Sequence, residues 1–585
     1  MKKEKTKKNK STKKKKKDTF NNLKSIYDSI QDKDKLLKKT ILPIIILGLL
    51  IAFIPFLSFF IPIISIPFNP MAFVLIGIVI IILGFFYPII DWKNKESDIN
   101  GKIHFFITHL RVLSISDLSL KEIMKVLSKN KAYRSLGEEI RKVSVLSDNW
   151  RVPIAKSFLF ISQRTPSKIL RDFLDRFSQS LDSGVDHREF IEAEQDAVLE
   201  EYKTIYESSN NNITILNEVY VSLLIAIIFV MSLGIVLPII MGTEDMNAFL
   251  FLSSFLLIVS EGLLLYVLKS MVPPDEIWHQ TGDKGEIDNK LKKSFKFSII
   301  LTLSLISFLI IGKYFLKLPF FDLLPLEILF SISITPLIIP GIKTIKEEGE
   351  ISRKDRNFLS FLNGLGSISA MRGGKITPSV YYLSQKNYGV LTKHIKNLYS
   401  RLRTRINDDK SWEWFGVDTG SNYIQRASEM FREATAASAN PKEVSRMITQ
   451  NIRKIRDLRV KKMSVVNTSA ALFAGITVGI SFSIYTSLVI AEHLNEILIA
   501  GKAGDPFSGS SIDVGAVLTT VPPEIFSNNF IVIFIVFVIH CFMISITIKT
   551  LRGSNNMITL LYFVPLVWVV AITGTIINSV LGGYL

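Results

Sequence analysis

The chain holds one cysteine among 585 residues, Cys541, and it lies inside an apolar run. A disulfide framework and a cysteine-based zinc site are thereby excluded, and the thiol is expected to be buried. Phosphate-cradling loops are lacking as well. Gly374-Lys375 is followed by Ile376 instead of Ser or Thr, and Ser369 stands where such a loop needs its first glycine. The seven histidines offer no metal site: His104 and His109 are five residues apart, a poor fit to one helix face, and His540 is alone in its run. No stretch alternates β-branched residues between turn signals, so strands are not expected. The sequence therefore gives no ground for a cofactor, a metal or an enzymatic activity of its own.

Apolar length is abundant instead. Nine runs of about 18 to 28 residues are each long enough to cross a hydrocarbon core of about 30 Å as a helix. They fall at 41–68, 71–90, 219–241, 247–268, 295–316, 323–342, 464–490, 526–548 and 557–582. The expected fold class is all-α: a polytopic membrane protein with about nine transmembrane helices and two helical-bundle domains outside the lipid.

Charge sets an expected orientation. The tail 1–40 carries 16 Lys against 5 acidic residues, too long a basic region for a cleaved signal peptide, and belongs inside by the positive-inside rule. Alternate connections should then be cytoplasmic. Segment 91–218 carries 19 Lys and Arg, 269–294 carries 5, and 343–463 carries 24, with Lys549 and Arg552 in the last inner turn. The longest outer connection, 491–525, has 5 acidic residues and one Lys. The layout is thus a tail 1–40, a hairpin 41–90, a first cytoplasmic domain 91–218, a span pair 219–268 and a linker 269–294. A hairpin 295–342, a second domain 343–463, a pair 464–548 and a final span in 549–585 follow, with the C-terminus outside. The net charge of +18 sits mainly in the tail, at +11, and in the second domain, at +12. A run such as Lys13 to Lys17 reads as a solvated tail on anionic lipid or as a docking arm. No nucleic-acid partner is expected.

The two large inner segments repeat one pattern. Ser114-Ile115-Ser116 recurs as Ser367-Ile368-Ser369, Leu127-Ser128 as Leu383-Ser384 after an insertion near Gly373-Gly374-Lys375, and Phe177 as Phe431. The near-constant offset marks parallel copies. Each copy ends in a helix without strong breakers: Val185 to Leu233 and Lys442 to Ala474 contain no Gly or Pro. Asn440-Pro441 reads as an N-cap with proline at the first helical position, and Ser183-Gly184 with Asp186 opens the matching helix. The first rod is either continuous across the membrane boundary or bent at Asn210-Asn211-Asn212.

Several side chains have two readings. Glu261, within an apolar span, belongs to an ion path or to packing inside the bundle. Ala471, Gly475, Gly479 and Ser483 make a small-residue stripe for close helix packing, within the chain or between subunits. Arg453, Lys454, Arg456, Arg459, Lys461 and Lys462 are an orientation signal or, with Arg401, Arg403 and Arg405, a docking face for an acidic partner. Glu189, Glu192, Glu194, Glu200 and Glu201 are a solvated helix face or meet basic groups on a partner or on the second domain.

This layout resembles the inner-membrane platform family of type II secretion and type IV pilus machines. Its archaeal branch, the archaellum assembly platforms, is the more similar. The likeness covers about 91–268 and 343–548, and its strongest points are Phe177 to Leu181, Ser183-Gly184, Phe431 to Ala437 and Asn440-Pro441. The resemblance implies a non-enzymatic platform, most simply a homodimer in the cell membrane. On it a separate hexameric cytoplasmic ATPase docks and drives pilin-like subunits into a filament. An adhesive-pilus or secretion platform, or a transporter built on Glu261, are the alternatives.

Overall fold

The computed structural model describes residues 41–60, 70–241, 246–283, 285–315, 324–405, 407–503 and 523–584. The basic tail 1–40, the end of the first expected span at 61–69 and most of the outer connection, 504–522, lie outside the described residues.

The chain is all-α, as expected. Seven helices among the described residues are long and apolar enough to cross a membrane. They account for seven of the nine expected spans. The remaining two, from 41–90, form the hairpin of α1 (Leu42–Phe60) and the start of α2 (Pro70–Ser114). Gly77 makes that hairpin tight: a Cβ there would stand 2.6 Å from the carbonyl oxygen of Gly48.

The first extramembrane domain begins on α2 itself, which leaves the apolar stretch and continues to Ser114 without a break. Then come α3 (Leu120–Lys129), α4 (Arg134–Asp148), α5 (Ile154–Ser162) and α6 (Lys168–Asp182), and α7 (His187–Met241) returns to the membrane. α8 (Met246–Met271) and α9 (Glu286–Ile310) follow, with an irregular strap at 272–283 between them. α10 (Leu326–Ile334) passes through a 3₁₀ turn at Thr335–Leu337 into α11 (Ile338–Met371). The second domain adds α12 (Ile376–Ser384), α13 (Thr392–Thr404), α14 (Asp408–Thr419) and α15 (Asn422–Ala436) before α16 (Pro441–Ala503). α17 (Pro523–Arg552) and α18 (Ile558–Tyr584) complete the membrane layer.

The rods are continuous. α7 has 55 residues and runs unbroken through Asn210 to Asn212, and α16 has 63. At about 1.5 Å per residue they are roughly 80 and 95 Å long. They pack side by side. The incoming helix α2 is equally continuous, which the fall in hydropathy near residue 91 concealed. Loss of apolar character ends a span, but it does not by itself end a helix, and α2 continues even through Pro88.

The duplication is visible in the caps. Ser167 Oγ accepts the Leu170 amide at 3.2 Å, and Ser421 Oγ accepts that of Ile424 at 3.2 Å. α6 and α15, each of 15 residues, therefore start alike. They also stop alike. The Val185 amide reaches Ser180 O at 3.1 Å and the Ala439 amide reaches Ala434 O at 3.0 Å, each across a residue in the left-handed region: Gly184 at φ +76° and Ser438 at φ +67°. Asn440 Oδ1 accepts the Lys442 amide at 3.0 Å and Asp186 Oδ1 that of Arg188 at 2.9 Å, which fixes where both rods begin.

The two domains share one hydrophobic core. Phe106, Phe173 and Phe177 of the first copy belong to the same buried cluster as Phe358, Phe415 and Phe431 of the second. A separate cluster, with Tyr220, Phe473, Phe537 and buried Cys541, fills the membrane layer. The copies act as a single body, because one contiguous buried cluster spans both.

Ser438 occupies a conformation that costs an L-residue about 1 kcal/mol and glycine almost nothing. Ser438→Gly is expected to stabilise the protein by about that amount, and Gly184→Ala to destabilise it similarly. Unfolding of the detergent-solubilised chain followed by circular dichroism checks both.

Candidate coupling junction

The strap after α8 is the point where both copies and the membrane layer meet. Its backbone is pinned on several sides: the Asn422 amide donates to Ile277 O at 3.1 Å, the His279 amide to Gly420 O at 3.0 Å, and Ser97 Oγ to Val272 O at 3.3 Å. Its side chains point inward. Asp275 is buried and accepts from Arg459 Nε at 2.8 Å, with Arg459 Nη2 on its other oxygen. Nη2 also donates to Glu276 O at 3.2 Å. The guanidinium lies 3.9 Å over the Tyr423 ring. Tyr206 donates its hydroxyl to Asp275 at 3.1 Å, and Lys462 Nζ stands 5.9 Å from the Tyr206 ring. Asp275 thus joins the strap to α7, through Tyr206, and to α16, through Arg459.

A second hub is Glu348 on α11. It accepts from Trp278 Nε1 at 3.0 Å and from Arg552 Nε at 3.2 Å, and Ser554 Oγ closes on it as well. The carboxylate ties the strap to the turn between α17 and α18.

Burial sets the protonation states. It pushes the Asp275 carboxyl up, but the Arg459 guanidinium overrides this and holds it well below the usual carboxylate range. Burial brings the Lys462 ammonium down to about 8, against the pull of Asp275, and holds His104 neutral with a pKa of about 3. Asp355, which accepts from Ser421 Oγ, is raised to about 6 by burial. The junction is therefore a buried ion pair with a second buried ammonium, Lys462, and neutral His104 beside it.

The expected docking residues divide. Arg459 and Lys462 are corrected outright: the Arg459 side chain is 12% exposed and Lys462 is buried, so both face the strap and neither can meet a partner. Lys454 and Lys461 bridge to the other rod, at 3.2 Å from Asp196 and 3.0 Å from Glu207. Arg456 lies 3.6 Å from Asp457, and Arg401 pairs with Asp418 at 2.7 Å. Glu192 meets Arg111 at 2.7 Å, and Glu194 accepts from Arg176 Nε and Nη2 at 2.9 and 2.7 Å. Arg403, Arg405, Arg453 and Glu189 are exposed. Position along a helix face could not distinguish these, because most of the partners come from other helices. The strap residues Asp275 and Trp278 were missed by sequence reasoning. The available signal was the apolar pair Ile277-Trp278 in a short connection otherwise rich in charge.

In the membrane layer Glu261 has partners after all. It pairs with His540 Nδ1, accepts the Tyr220 hydroxyl at 3.2 Å, and His540 Nε2 is 3.1 Å from Thr477 Oγ1. One polar chain thus joins α7, α8, α16 and α17. The small-residue stripe is open: Ala471, Gly475 and Gly479 are exposed, and no described atom lies within 4 Å of a Cβ built at either glycine. Ser483 alone turns inward, 3.5 Å from Ser232 Oγ. Packing within the described chain therefore does not explain Gly475 and Gly479.

A helical domain leading into a membrane pair defines a class of secretion-type membrane proteins, and the family described as "Type II secretion system (T2SS), protein F" matches residues 106–235. "Flagella accessory protein J" of Methanocaldococcus jannaschii is 33% identical over 523 residues, covering 87% of this chain and 90% of that protein. The protein of that name from Methanococcus voltae is 34% identical over 500 residues, 84% and 87% of the two chains. No solved structure matches. The chain belongs to the flagella accessory protein J family.

Removing one partner of a buried pair costs about 3–5 kcal/mol, so Arg459→Met is expected to destabilise strongly in detergent melts. Asp355 binds its proton more tightly folded than unfolded. Its share of stability is therefore present below about pH 4 and lost as pH rises through about 6. Asp355→Asn should abolish that loss: relative to wild type, its melting temperature gains between pH 5 and pH 7.5.

Proposed function

We propose that this protein is the membrane platform of an archaellum, coupling a separate cytoplasmic ATPase to the assembly and rotation of a filament of pilin-like subunits. The observation that carries the reading is mechanical. α2, α7 and α16 leave the lipid without a break, α10 and α11 do so through one 3₁₀ turn, and a shared core makes the extramembrane domains one body. A push on that body moves lipid-embedded segments directly. The excess of Lys and Arg on this side supports a cytoplasmic orientation, and the basic tail 1–40 is then placed to touch anionic lipid. The names of the two relatives support an archaellum over an adhesive pilus or a secretion system.

The Glu261 to His540 chain favours packing over transport, since it spends both ring nitrogens and one carboxylate oxygen on neighbouring helices. The open Gly475 and Gly479 face supports a homodimer through α16.

The full chain in nanodiscs is expected to stimulate the ATP hydrolysis of its partner ATPase several-fold, and Arg403→Glu with Arg405→Glu to reduce that stimulation without altering the melt. No stimulation, together with ion flux in liposomes that Glu261→Gln abolishes, would defeat the proposal. Gly475→Leu with Gly479→Leu should convert dimer to monomer in light scattering.

A further inference from the structure

Beside α9, where it meets the extramembrane layer, a cavity of about 510 Å³ opens against α11. Lys290 and Lys293 line it from α9, and Lys343 and Lys346 from α11. Lys290 is held by Glu286 at 2.8 Å. Among the described residues no carboxylate pairs with Lys293, Lys343 or Lys346 at ion-pair distance, although all three are exposed. Glu347 and Glu350 complete the polar wall, leaving lysines in excess by two to one. Ser294 lines the same cavity, is 5% exposed, and its hydroxyl has no hydrogen-bond partner among the described residues. Such a hydroxyl, desolvated beside ammonium groups, lacks an acceptor or donor that a ligand would supply.

The cavity is amphipathic in one direction. Its wall includes Phe297, 59% exposed, and the exposed face of α9 continues with Ile300 and Leu303 into the apolar stretch. Ammonium groups above and an open apolar column below match a molecule with an anionic head and an apolar tail. The two carboxylates can accept hydrogen bonds from hydroxyls on that head, which a choline headgroup does not carry.

We propose that α9 and α11 form a binding site for an anionic glycerophospholipid with a hydroxylated headgroup, drawn from the leaflet beside the extramembrane layer. The phosphate sits among Lys293, Lys343 and Lys346, Ser294 completes its contacts, and one chain lies along Phe297 and Ile300. The site is independent of any ATPase partner. It would fix α11, and through Glu348 the strap, relative to the membrane surface.

Native mass spectrometry of the delipidated full chain, titrated with phosphatidylglycerol or phosphatidylcholine, tests this. Phosphatidylglycerol is expected to bind first and at least about tenfold tighter. At about fivefold per lysine, Lys293→Gln with Lys346→Gln should weaken it about 25-fold. Lys293→Arg with Lys346→Arg should retain it, which separates lost charge from lost fold. Equal affinity for the two lipids, unchanged binding in the glutamine variant, or displacement of phosphatidylglycerol by millimolar inorganic phosphate would each overturn the lipid site.

Discussion

A carboxylate and a guanidinium withdrawn from water must be held by everything around them, and the Asp275 to Arg459 pair is held from every side. Separately, either charge would be intolerable in this position. Together they require the strap, α7, α15 and α16 to keep one arrangement, because Tyr206 and Tyr423 close over them. Burial makes the pair specific more than it makes it strong. A shift of either rod along the other exposes one partner or leaves it unpaired, so relative movement of the copies here has a steep cost.

The same boundary is tied twice more. Glu348 gathers Trp278, Arg552 and Ser554, joining the strap to the α17–α18 turn, while Glu261 and His540 hold the membrane parts of both copies together. The Glu348 and Asp275 to Arg459 knots adjoin each other, with Glu348 and Arg459 lining one cavity, while the Glu261 to His540 knot lies in the membrane layer. Between the rods, Lys461 to Glu207 and Asn217 to Ser469 add further polar ties. A body built this way transmits displacement along the helix axes and resists shear between the copies.

Much of the architecture was legible in the chain itself. Apolar runs marked the spans, the missing Gly and Pro marked α7 and α16, and Asn440-Pro441 marked where a rod begins. The fold-back of α2 into the first domain was hidden because the apolar signal ends while the helix continues. The candidate site was legible only in part. Arg459 and Lys462 look like their neighbours Arg453 and Lys461 on a basic helix face, yet two turn inward and two outward. Glu261 and His540 each look solitary, since their spans are 279 residues apart in sequence.

The sequence alone determined helix and span, because those depend on near neighbours in the chain and on backbone groups that lipid cannot hydrate, and it showed the duplication through matches at a near-constant offset. Only the tertiary structure decided which charges face water. Asp275 meets Arg459 across 184 residues and Glu348 meets Arg552 across 204. A charge's worth depends on the dielectric and the partner at its final position, and neither exists until the two copies have closed on the strap.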